Sequence, residues 1–171
     1  MAIESWWNFF YLCGSASATL TGLMFIAVTL GVTLIKKETL DRVEAFVSPI
    51  FYHFMHVFFL CCAFAVPGSN AKLLAAAAFL SGLWRLARIR KAFLVVHERS
   101  QHPEDEIDYW DWLGIIFFPI IIYLVLITAG IGLWLGTPWA IYALAASCLS
   151  LLLCAARQAW ETLVWIAAML T

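Results

Sequence analysis

Three long stretches of this chain carry no charge, and their lengths decide what it can fold into. Thirty-one residues separate Glu4 from Lys36, 27 separate Glu44 from Lys72, and 45 separate Asp111 from Arg157. An α-helix needs about 20 apolar residues to cross the hydrocarbon core of a bilayer. The first two stretches therefore hold one crossing each, and the third holds two. Composition agrees: 64% of the 171 residues are hydrophobic and 12% are charged, whereas soluble domains carry roughly 25% charged residues. A chain of this size cannot bury so much apolar surface by folding on itself in water. The sequence reads as all-α, a polytopic transmembrane helix bundle, with residues 1–171 forming one domain.

The expected spans lie near 7–34, 45–66, 113–135 and 138–157. The last two separate at Gly136-Thr137-Pro138, where Thr137 is placed to cap a helix that opens at Pro138. A further span is expected over 71–90, after the turn Pro67-Gly68-Ser69-Asn70. Only 12 uncharged residues lie between Lys72 and Arg85, but Lys72 can snorkel to one face and Arg85, Arg88 and Arg90 to the other.

With five spans, Lys36, Lys37, Arg42, Arg85, Arg88, Arg90, Lys91, Arg99 and Arg157 share one side of the membrane, and Lys72 stands alone on the other. Basic loops stay in the cytoplasm. The N-terminus is therefore expected outside, the C-terminus inside, and the loop of about 91–112 in the cytoplasm. Trp6, Trp7, Trp134 and Trp139 then mark the outer interface, with Trp84, Tyr109, Trp110, Trp112 and Trp160 at the inner one. No basic segment precedes the first apolar run, so no cleavable signal is expected.

Within the first helix, Gly14, Ala18, Thr21, Gly22, Thr29 and Thr33 fall on one face at about 100° per residue. Gly14, Ala18 and Gly22 repeat the small-xxx-small spacing that lets two helix backbones approach closely. Such a face packs inside the subunit, joins subunits, or lines a pore. In the fifth helix Ala143, Ser147, Ser150 and Cys154 make a second small, weakly polar stripe running to Arg157 and Glu161. Those two charges are spaced i,i+4, as a helical ion pair requires.

The second helix holds ionisable groups near mid-bilayer, His53 and His56. Neutral imidazoles can be structural there, bonded to neighbouring hydroxyls, or they can handle protons or ions. Metal or haem ligation is a third reading. Haem would need a symmetric dimer, because both histidines stand on one helix. In the fourth helix Pro119 is expected to cause a bend.

Arg85, Arg88, Arg90 and Lys91 form an inner-interface cluster suited to anionic lipid. The carboxylates at Glu104, Asp105, Glu106, Asp108 and Asp111 follow without an EF-hand pattern. The five cysteines lie in apolar runs without CxxC or zinc spacing, and they read as packing residues. No nucleophile–base or paired-carboxylate constellation is visible, so no enzyme, cofactor or metal site is expected. A net charge of −1 leaves no basic field for nucleic acid.

The opening Trp6-Trp7-Asn8-Phe9-Phe10, followed by Gly14 to Val28 of the first helix, resembles the start of small, uncharacterised bacterial polytopic inner-membrane proteins. The resemblance covers that helix and implies a bacterial cytoplasmic-membrane setting, with no activity attached. The expectation that follows from the residues is a homo-oligomeric channel or pore-like protein. The alternative is a non-catalytic accessory subunit docked on a membrane partner, and the third reading is a haem- or metal-binding membrane protein.

Overall fold

Residues 3–34, 40–68, 70–99 and 117–168 are described by the computed structural model. Their secondary structure is helix joined by short turns, with no strand among the described residues. After a short 3-10 turn (Ile3–Trp6) come α1 (Trp7–Leu34), α2 (Leu40–Ala65), α3 (Ala71–Arg99), α4 (Phe118–Trp134) and α5 (Ala140–Ala168). Among the described residues, three helical stretches are long and apolar enough to cross a membrane: Trp7–Thr29, Val47–Ala65 and Ala140–Val164. The described part of α4 is apolar but 17 residues long. Large apolar side chains lie open on these helices, among them Leu12, Ile26, Phe59, Ile121 and Leu153. Bilayer lipid tolerates such surface; water does not.

Helix α1 occupies the stretch where the first span was expected, and the other helices begin or end elsewhere than the expected spans. Helix α2 begins at Leu40, and α3 continues to Arg99, so the first part of the expected 91–112 loop is helical. Residues 100–116, with the acidic cluster and the aromatic residues Tyr109, Trp110 and Trp112, lie outside the described residues, as do Lys36 and Lys37. Pro119 stands in the first described turn of α4. The residues before that turn lie outside the described set, and the bend expected at Pro119 falls at that boundary. The expected cap at Thr137 is corrected: its hydroxyl and its amide both donate backward to the Gly132 carbonyl, each at 2.9 Å, closing α4. Gly136 takes φ +74° in that turn, the left-handed conformation that suits glycine after a helix end. Helix α5 then begins at Ala140, two residues later than expected.

Contacts gather the described residues into two compact units. One contains α1, α2 and α5 from Cys148 onward. Its first two helices run antiparallel. Phe10 stacks on Phe64 with ring centres 3.7 Å apart, Gly14 meets Cys61, Ser17 donates to the Phe54 carbonyl, and Phe25 meets Phe51 edge-on. Helix α1 buries Phe10, Cys13, Ser17, Thr21 and Met24, and α2 buries Ile50, His53, Phe54, Val57, Leu60, Cys61 and Phe64. Both sets follow the three-four spacing of a single helical stripe.

The other unit contains α3, α4 and α5 up to Ser147. Here too the first two helices run antiparallel, from Lys72 beside Trp134 to Arg85 beside Tyr123. Between these ends Gly130 lies against Ala75 and Phe79, and Gly82 against Ile127. A Cβ at Gly130 would stand 3.0 Å from the Ala75 carbonyl oxygen, so glycine is what permits this approach. Asn70 opens α3 by accepting the Leu73 amide on its side-chain oxygen at 2.8 Å.

Candidate functional site

The face expected on α1 divides in two. Gly14 and Thr21 are buried, whereas Ala18, Gly22 and Thr29 are exposed. The side chain of Thr33 is outside the described set. A Cβ at Gly14 would stand 2.9 Å from Cβ of Cys61, but one at Gly22 would meet nothing within 4 Å. Small residues therefore bring α1 onto α2 at one position and leave an open strip at the other. Thr21 and Thr29 donate to carbonyls one turn back on their own helix, those of Ser17 and Phe25. The hydroxyl that joins α1 to α2 belongs to Ser17, fully buried and donating to the Phe54 carbonyl. Sequence reasoning missed Ser17; its place one turn after Cys13 and one before Thr21 was the available signal.

His53 and His56 stand on α2 on either side of that contact, 2% and 7% exposed. Both imidazoles, singled out in the sequence as ionisable groups, are buried in the fold. The Nε2 atom of His56 lies outside any hydrogen bond among the described residues, while the residue keeps other interactions.

Arg85 is 6% exposed, with its charge held against Tyr123. Arg88 lies over the ring of Trp84, one turn back on α3, at 5.2 Å. Arg90 and Lys91 belong to α3, and their side chains are outside the described set. At the opposite end of α3, Lys72 lies 5.8 Å from the ring centre of Trp134. Each of these three cations thus has an aromatic face to lie on, which lowers the penalty of leaving bulk water.

On α5, Ser147 is buried and donates to the Ala143 carbonyl, while Ser150 is half-buried. Arg157 and Glu161 bridge at 2.7 Å on an exposed face. Gln158, between them and buried, donates to Cys154 at 3.4 Å. It was absent from the expected site residues. Among the described residues no group of three His, Cys, Asp or Glu side chains is arranged to hold a metal ion. Chemically, this arrangement packs helices, buries two imidazoles and seats three cations on aromatic rings.

No protein-family model, curated protein or solved structure matches this chain.

Proposed function

We propose that this chain is an integral membrane protein with five spans that associates with copies of itself into a channel or pore-like assembly. The observation that carries this reading is the open strip on α1. Ala18, Gly22 and Thr29 are exposed, and the space over Gly22 is empty. Lipid supplies no hydrophobic force between helices, so association depends on close backbone approach and interhelical hydrogen bonds. An exposed small-residue strip provides the first of these. The five-span reading draws support from α3, whose apolar stretch runs beside α4 between two ring-seated cations, Lys72 and Arg85. In this reading the N-terminus is outside and the membrane is a bacterial cytoplasmic one. His53 and His56 stand along the polar route, and the basic end of α3 meets anionic lipid.

Mass measurement of the purified protein in detergent tests the proposal. A discrete symmetric oligomer is expected. A monomer that is unstable without a second protein would favour the alternative, an accessory subunit whose α1 strip docks on a larger membrane partner.

A further inference from the structure

Helix α3 carries an exposed seam toward its basic end. Leu80, Leu83, Trp84, Ala87 and Arg88 are all exposed, and they recur at the three-four spacing of one helical face. The first four present apolar surface, and the charge comes last. Leu80 lies about 12 Å along the axis from Arg88, at 1.5 Å per residue. That length fits within one leaflet, half of the about 30 Å hydrocarbon core.

The charged end of the seam is organised. The Arg88 guanidinium carbon stands 5.2 Å from the centre of the Trp84 ring, one turn back, within the range of a cation–π contact. An aromatic face draws the charge but offers no oxygen acceptor, so the N–H fork stays available to an anion. Arg85, three residues earlier, is used differently. It is buried, and its Nε donates to the Tyr123 hydroxyl. The arginine that serves the seam is therefore Arg88.

We propose that this seam holds one anionic phospholipid. Its phosphate lies on the Arg88 guanidinium, its glycerol region beside Trp84, and one acyl chain along Leu83 and Leu80. Complementarity decides the occupant, because cation, indole and leucines follow the order of phosphate, ester and hydrocarbon in a lipid. A soluble phosphate would engage the arginine and leave the leucines uncovered. Arginine pairs with phosphate through two parallel hydrogen bonds, and a guanidinium already seated on a ring loses less freedom in making them. The inference rests on the membrane reading above and gives its anionic-lipid contact named residues and a stoichiometry.

The test titrates the full chain in detergent with phosphatidylglycerol, or with phosphatidylcholine carrying the same acyl chains. Native mass spectrometry counts the lipids bound. The first phosphatidylglycerol is expected to bind at about one-fifth of the phosphatidylcholine concentration, the effect of one arginine near a membrane surface. Arg88→Gln should erase that preference, and Trp84→Leu, which keeps the charge and removes its seat, should weaken it. Arg157→Gln lowers the net charge by the same unit and should leave the preference intact. Glycerol phosphate in large excess should not displace the lipid. Equal binding of the two lipids to the parent overturns the inference. So does a preference that survives Arg88→Gln or Trp84→Leu unchanged, an equal loss in Arg157→Gln, or displacement by glycerol phosphate. Oligomer mass is read in the same spectra. A lost preference with the oligomer intact fails this inference alone, and a monomer that keeps the preference fails the assembly reading alone.

Discussion

Arg85 seats its guanidinium 5.6 Å from the centre of the Tyr123 ring, and its Nε donates to the phenol oxygen at 3.3 Å. Tyr123 is fully buried, so one side chain of α4 offers the α3 cation both a π face and an acceptor. A buried charge without compensation is expensive, and a charge-assisted hydrogen bond contributes about 1.5–3 kcal/mol. Tyr123→Phe keeps the ring and deletes the acceptor. It is expected to destabilise the α3–α4 unit by about that amount, lowering the midpoint of thermal unfolding in detergent. Arg85→Lys should also destabilise, because an ammonium cannot stack flat and donate at the same time. An unchanged midpoint in Tyr123→Phe would show that the bond contributes nothing.

Helix existence was legible in the chain because charge spacing and span length follow directly from bilayer thickness. Turn chemistry was harder to read. Thr137 follows one helix and precedes another, so its hydroxyl can donate back to a carbonyl of the first or accept from an amide of the second, and only the backbone turn at Gly136 decides between them. The site was legible by residue type and not by partner. His53 and His56 were singled out as titratable groups at depth, whereas Ser17 resembles any other small residue until α2 is laid beside it.

His53→Leu with His56→Leu removes both imidazoles from the buried stripe of α2. The expected outcome is altered oligomer stability, or altered conductance in a planar bilayer, with helical content by circular dichroism unchanged. A double variant matching the parent in assembly and conductance would remove the histidines from any functional account.

Topology is testable at two positions. Leu135→Cys lies in the open turn after α4, and Ser100→Cys falls in the loop expected from the sequence to face the cytoplasm. An impermeant maleimide added to intact cells should label Leu135→Cys and spare Ser100→Cys. The reverse pattern would invert the orientation.

Gly14 and Gly22 provide the sharpest contrast, because they stand two turns apart on one helix in opposite surroundings. A side chain at Gly14 collides with Cys61, whose Cβ would be 2.9 Å away. Overpacking of a tight contact costs about 1–3 kcal/mol, so Gly14→Ala should lower the unfolding midpoint of the monomer itself. At Gly22 the surrounding space is open, and Gly22→Leu should leave that midpoint close to the parent value. If copies associate along this strip, the leucine holds two backbones apart and the oligomer dissociates, read as a fall in mass by light scattering in detergent. A leucine at Ala27, off the strip, should leave the mass unchanged. Should Gly22→Leu retain the parent mass, with cysteines placed at Ala18 and Gly22 failing to cross-link between copies, α1 would be an internal packing helix and the channel proposal would lose its carrying observation.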